Sequence, residues 1–108
     1  MSSRLEEIKS FVEMAPGDPF PLYGLAMEYK NLGDVPEARR TFARLAEKFP
    51  GYVAQYLMHA KMLIEHGDKP AARQVLTIGI EQAGKTRNHH ALGELQSELA
   101  GLGDAEDD

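Results

Sequence analysis

Gly33-Asp34 and Gly67-Asp68 stand 34 residues apart, and the residues around them repeat in step. Laying 19–52 over 53–86 without a gap pairs Ala26 with Ala60, Gly33 with Gly67, Asp34 with Asp68, Pro36 with Pro70, Ala38 with Ala72, Arg39 with Arg73 and Glu47 with Glu81. These identities fall where a helix-turn-helix unit needs a small residue or a turn. Tyr29/Leu63 and Phe42/Leu76 keep apolar character between them. A fixed period of this length marks a helical repeat array, in which each unit buries its apolar face against its neighbours.

The local signals agree with that period. Leu22, Leu25, Ala26 and Tyr29 are spaced i, i+3, i+4 and i+7, one stripe of a helix, and the small Ala26 admits a second helix closely. Gly33 is free to take the left-handed conformation that ends a helix. Asp34 is placed to cap the next one, with Glu37 three residues on as in a capping box and Pro36 in the first turn, where its missing N–H breaks no helical bond. Gly67, Asp68 and Pro70 repeat this punctuation. Each repeat therefore reads as two antiparallel helices joined by a tight turn.

Leu22, Leu25, Ala26, Tyr29, Ala38, Phe42 and Pro50 follow the tetratricopeptide repeat pattern of aromatic-x2-Leu-Gly-x2-Tyr, Ala-x3-Phe and Pro, departing at Leu22 and Ala26. The second copy is looser: Tyr56, His59, Ala60, Leu63, Ala72, Leu76, and Gly84 in place of proline. The chain thus resembles the tetratricopeptide repeat family. The resemblance implies an all-α fold, a right-handed superhelical stack of antiparallel helix pairs.

The ends read as incomplete repeats. Stepping back 34 residues from Pro50 and Phe42 reaches Pro16 and Ile8, so 3–15 matches the second helix of a preceding unit, with Ser3 and Glu6 as its capping box. A third Gly-Asp, Gly103-Asp104, comes 36 residues after the second, and Leu92, Leu95 and Leu99 take the places of Tyr56, His59 and Leu63. A loop two residues longer, at Lys85 to Asn88, accounts for the shift. The spacing predicts six helices, at 3–15, 19–32, 35–49, 53–66, 69–84 and 88–102, in one domain over 1–103, with the last helix closing the stack.

Charge excludes more than it suggests. The formal net charge is −5, and Asp104, Glu106, Asp107 and Asp108 carry most of it, so the body is nearly neutral and 104–108 reads as an acidic disordered tail. Lys and Arg are interspersed with Glu and form no basic run, which argues against a nucleic-acid partner. No apolar stretch is long enough for a membrane span, and the N-terminal residues lack the apolar core of a signal peptide. Without cysteine there is neither disulfide nor thiol chemistry. The default location is cytoplasmic.

The sequence gives no support to an enzyme, a cofactor or a metal. His59 and His66 lie seven residues apart, about 10 Å along a helix axis, too far to share one ion unaided. They read instead as a packing residue and a helix-ending residue, and His89-His90 as a loop or first-turn pair. Gly84-Lys85-Thr86 lacks the earlier glycine of a phosphate loop. Glu13, Glu28, Glu47 and Glu81 read as solvated helix faces.

What remains is surface. Around helix 19–32 from its packing stripe lie Phe20, Tyr23, Met27, Lys30 and Asn31; helix 53–66 offers Leu57, Met58, Lys61 and Ile64 on the corresponding flank. The family resemblance puts this flank on a concave face, with Gly93, Ser97 and Ala100 leaving room beside it. Tyr23, Met27, Leu57, Met58 and Ile64 would form an apolar, adaptable groove for an amphipathic helix or apolar peptide segment, Lys30 and Lys61 meeting acidic side chains. In the competing reading these residues are core, with the N-terminal helix folded over Tyr23 and Met27. Tyr23, Met27 and Met58 stand where family members that clamp a chaperone's terminal carboxylate carry Lys and Asn, which excludes that role. The expectation is a non-catalytic protein–protein interaction module, an adaptor or scaffold; the alternative is a homodimer pairing through the same surface. The register itself is testable: Ala38→Arg is expected to lower unfolding stability by about 2–4 kcal/mol in a denaturant titration, because a bulky cation enters the closest helix approach.

Overall fold

The computed structural model describes residues 3–103. Among them are six helices and no strand: α1 (Ser3–Met14), α2 (Pro19–Asn31), α3 (Val35–Lys48), α4 (Ala54–Glu65), α5 (Lys69–Lys85) and α6 (His89–Gly101). All six expected helices are present, their ends within a residue or two of the expected ones. They divide between two compact units, Met1–Pro50 and Gly51–Asp108, close to the 52/53 repeat boundary. The tail at 104–108 and the side chain of Ser3 lie outside what the structure describes.

In Met1–Pro50, α2 packs against α1 on one side and α3 on the other. Leu22, Leu25 and Ala26 of α2 and Ala38, Thr41, Phe42 and Leu45 of α3 are buried, and Ala26, Ala38, Phe42 and Leu45 expose nothing. Burying the Phe42 ring alone contributes about 1.5–3 kcal/mol. The turn between these helices is built as the sequence suggests. Gly33 has φ 79°, its N–H donates to the Lys30 carbonyl at 3.1 Å, and the Asp34 N–H donates to the Tyr29 carbonyl at 2.9 Å. These are the paired bonds of a Schellman motif. Asp34 then caps α3, its Oδ1 accepting from the Glu37 N–H at 3.2 Å.

The expected reciprocal arm of the capping box does not form here. The Asp34 N–H is already given to Tyr29, so the Glu37 carboxylate turns outward to Arg40, whose Nη2 lies 3.1 Å away.

In Gly51–Asp108, α5 packs against α4 and α6, and α4 also touches α6. Gly67 (φ 82°) and Asp68 repeat the turn, with Asp68 Oδ1 accepting from the Ala71 N–H at 3.1 Å. The third turn corrects the sequence reading. Instead of a longer loop at Lys85–Asn88, α5 itself is longer, 17 residues against 14 in α3. Pro50 forces α3 to stop, whereas Gly84 at the same repeat position leaves the N–H and the preceding residue unrestricted, so α5 continues. The turn that follows is as tight as the other two. Arg87 takes the left-handed place of the glycine (φ 57°), its N–H donates to Gly84 and the Asn88 N–H to Ala83, and Asn88 caps α6. A non-glycine there costs about 1–2 kcal/mol.

One close approach was not foreseen. A Cβ placed on Gly79 of α5 would lie 2.6 Å from Tyr56 Cβ, so Tyr56 of α4 fits only because position 79 has no side chain. Tyr56 is buried, which pushes its phenol above the ordinary value. Gly79→Ala sets a helix-propensity gain of about 1 kcal/mol against this clash with an atom fixed to the α4 backbone. The clash is expected to win, with a net loss of about 1–3 kcal/mol in a urea titration. Gly84→Ala, with nothing within 4 Å, is expected to be neutral or stabilising by up to about 1 kcal/mol.

Candidate functional site

Within Met1–Pro50 a groove of about 640 Å³ runs along α1 and α2. Ile8, Phe11 and Met14 form one wall and Phe20, Tyr23 and Met27 the other, with Arg4, Asp18 and Glu28 at the rim. Its chemistry is set by three large apolar side chains that water still reaches: Phe11 is 56%, Met14 75% and Phe20 65% exposed. Exposed apolar groups gathered in one place mark a contact surface more often than a solitary one does.

Local sequence explains how these residues come together. Ile8 and Phe11 are three apart, so they share a face of α1. Asp18 caps α2 by accepting from the Phe20 N–H at 3.0 Å, and Pro19 pre-sets the first turn, so Phe20 leaves the helix start toward α1. Tyr23 and Met27 follow on the same side of α2. Among the lining residues Arg4 Nε donates to Glu28 Oε1 at 2.9 Å, and outside the groove Lys9 Nζ sits 6.0 Å from the Tyr29 ring centroid, so α1 is tied to α2 twice.

Glu28 corrects the sequence reading. It is only 9% exposed, not part of a solvated face, whereas Glu13, Glu47 and Glu81 are exposed as expected. The partner that makes its burial tolerable is Arg4, 24 residues earlier, which no helical spacing could reveal. Position 28 falls in register with Met62, 1% exposed, so this helix position is buried in both repeats.

Within Gly51–Asp108, Leu57 and Lys61 of α4 border a second groove, of about 480 Å³, with His89, His90, Gly93, Glu94, Ser97 and Glu98 of α6. Its walls are mostly polar. Gly93 and Ser97 stand beside α4 as the sequence suggested; Ala100 is not among its lining residues.

The nine residues singled out in the sequence therefore fall in two places. Phe20, Tyr23 and Met27 join α1, and Leu57 and Lys61 join α6. Lys30, Asn31, Met58 and Ile64 line neither groove, although none of the nine is fully buried. Sequence reasoning missed the α1 wall, Ile8, Phe11 and Met14. Its signal was the spacing of Ile8 and Phe11, which puts two apolar side chains on one face of α1.

Among the described residues no three or more His, Cys, Asp or Glu side chains group to hold an ion. His66 ends α4, its Nδ1 3.3 Å from the Met62 carbonyl, and His90 Nε2 lies 3.5 Å from Glu94 one turn on. The Arg40 guanidinium is raised above its ordinary value by its hydrogen bond to Glu37, a local surface pair. Among the described residues no helix is long and apolar enough to cross a membrane.

Paired helices meeting at alanines, Schellman turns at a 34-residue period and an open apolar groove define a helical repeat protein, a class that works by presenting surface. Residues 22–52 match the sequence profile of the tetratricopeptide repeat. The solution structure of a tetratricopeptide repeat domain protein from Salinibacter ruber is similar at 30% identity and TM-score 0.75, over 82% of this chain and 89% of that one. A crystal structure of a tetratricopeptide repeat domain protein from the same organism is similar at 29% identity and TM-score 0.70, over 79% and 94%. A Bordetella parapertussis protein shares the fold at 20% identity and TM-score 0.76, over 94% and 89%. No curated protein matches the chain. The chain belongs to the tetratricopeptide repeat family, whose members are in general non-catalytic modules that bind proteins.

The buried carboxylate supplies a test. Glu28→Met, which copies Met62, is expected to leave unfolding stability unchanged or to raise it, since an apolar side chain of similar volume avoids desolvating a charge and Arg4 stays in water. A loss of about 2 kcal/mol or more would show that the Arg4–Glu28 pair contributes net stability.

Proposed function

We propose that the protein is a non-catalytic adaptor or scaffold that binds an amphipathic helix or apolar segment of a partner on the α2 flank formed by Phe20, Tyr23 and Met27, the α4 flank of Leu57, Met58, Lys61 and Ile64 being a second such surface. The observation that carries this reading is the groove of α1 and α2, where Phe11, Met14 and Phe20 together stay more than half exposed. Leaving such side chains in water forgoes about 1.5–3 kcal/mol each, which a docking partner recovers. Aromatic and methionine side chains at a groove suit adaptable apolar contact.

The experiment pairs solution mass with capture. Light scattering over a hundredfold concentration range is expected to give a monomer. The double variant Tyr23→Glu, Leu57→Glu is expected to keep its helical circular dichroism and melting temperature and to lose a partner that the unaltered chain captures. Capture retained by the double variant would remove the groove from the account. A concentration-dependent dimer that the same variant dissolves would replace the adaptor with a self-associating subunit.

A further inference from the structure

One side chain of the α1–α2 groove can have its polarity changed after the chain has folded. Of the five methionines, Met14 is 75% exposed, Met27 and Met58 are half-buried and Met62 is 1% exposed, while Met1 lies outside the described residues. Met14 ends α1 and shares a wall of the groove with Phe11, which is three residues earlier and so on the same side of the helix. Its thioether is also held by a neighbour. Ser10, one turn back, donates its hydroxyl to the sulfur, with Oγ 3.8 Å from Sδ. The sulfur therefore has a defined place on α1 and is still open to small solutes. Phe11 and Phe20, the other exposed apolar side chains there, offer no such reactive atom.

We propose that Met14 is a site of oxidation by hydrogen peroxide, and that its conversion to the sulfoxide turns the groove wall from apolar to polar and weakens docking there. The proposal rests on the interaction-module reading and adds a regulation of the same surface. In the step, a lone pair of Sδ attacks one peroxide oxygen and the O–O bond breaks. The departing hydroxide takes the proton left on the transferred oxygen and becomes water, so sulfur loses two electrons and the peroxide gains them. Susceptibility follows exposure, which places Met14 first among the described methionines and Met62 last. A thioether is a weak acceptor and a sulfoxide oxygen a polar one, so Ser10 Oγ is placed to donate to the product as well. Any apolar group docking against the wall of Ile8, Phe11 and Met14 would then have to desolvate that dipole. The fold is spared, because a side chain this exposed contributes little to the core. Sulfoxide reduction returns the thioether, which makes the change reversible.

The test uses the full chain, dilute hydrogen peroxide and the apolar dye anilinonaphthalene sulfonate. Peptide mass mapping over time is expected to show Met14 oxidised at least about tenfold faster than Met62, and ahead of Met27 and Met58, with the differences lost in denaturant. Chain oxidised at Met14 alone is expected to keep its melting temperature and to bind the dye at least about threefold more weakly. Met14→Gln is expected to reproduce that loss without peroxide. Met14→Leu is expected to hold its dye binding through the same treatment. Oxidation of Met14 no faster than that of the half-buried methionines would overturn the proposal. So would dye binding that is absent or unchanged by oxidation, a loss that Met14→Leu shares, or a melting temperature that falls with it. If the oxidised chain still captures a partner that the Tyr23→Glu, Leu57→Glu variant loses, the regulation is overturned and the interaction-module reading stands.

Discussion

Helices in this chain can approach one another only where side chains are nearly absent, and the rest of the structure follows from that constraint. Ala26, Ala38, Ala60 and Ala72 expose no surface, and Gly79 admits Tyr56 at a separation no Cβ would allow. Once helices sit that close, Phe42, Leu45, Leu63 and Leu76 are sealed from water, and their burial supplies most of the favourable energy of the packed pair. The turns then have little slack. Two of them use glycine and one forces Arg87 into the left-handed region, so the bond pattern of the turn is kept even where the residue best suited to it is missing.

The same constraint leaves one apolar face of the Met1–Pro50 unit open. A repeat protein buries each helix face against the next helix, so a face without a neighbour stays apolar and open unless its sequence has been made polar. On α6, beside Leu57 and Lys61 of α4, His90, Gly93 and Ser97 are polar or small and exposed. On α1 and α2, Phe11, Phe20, Tyr23 and Met27 line their groove with apolar surface.

The repeat, the six helices and the punctuation at Gly33, Asp34, Gly67 and Asp68 were legible because they depend on residues close in sequence, where period and turn chemistry act directly. The longer α5 was not, because nothing marks Gly84 as permissive until the proline at the equivalent position is seen to stop α3. Glu28 was misread because its partner, Arg4, is reached only through the packing of α1 on α2. The candidate surface was half legible. Helical spacing put Phe20, Tyr23 and Met27 on one flank, but the other wall of their groove comes from α1, whose exposed Phe11 and Met14 look like core residues in a sequence. The role of Gly79 is visible only beside Tyr56.

The central claim is that the groove of α1 and α2 is the surface through which the protein works. The most direct test is the two-dimensional NMR spectrum of isotope-labelled full chain, titrated with a synthetic amphipathic helical peptide. The account predicts shifts concentrated on the amides of Ile8, Phe11, Phe20, Tyr23 and Met27 and on the methyl groups of Ile8 and Met27, with α6 silent. Shifts centred on Leu57, Lys61 and Gly93, or none at saturating peptide, would contradict it.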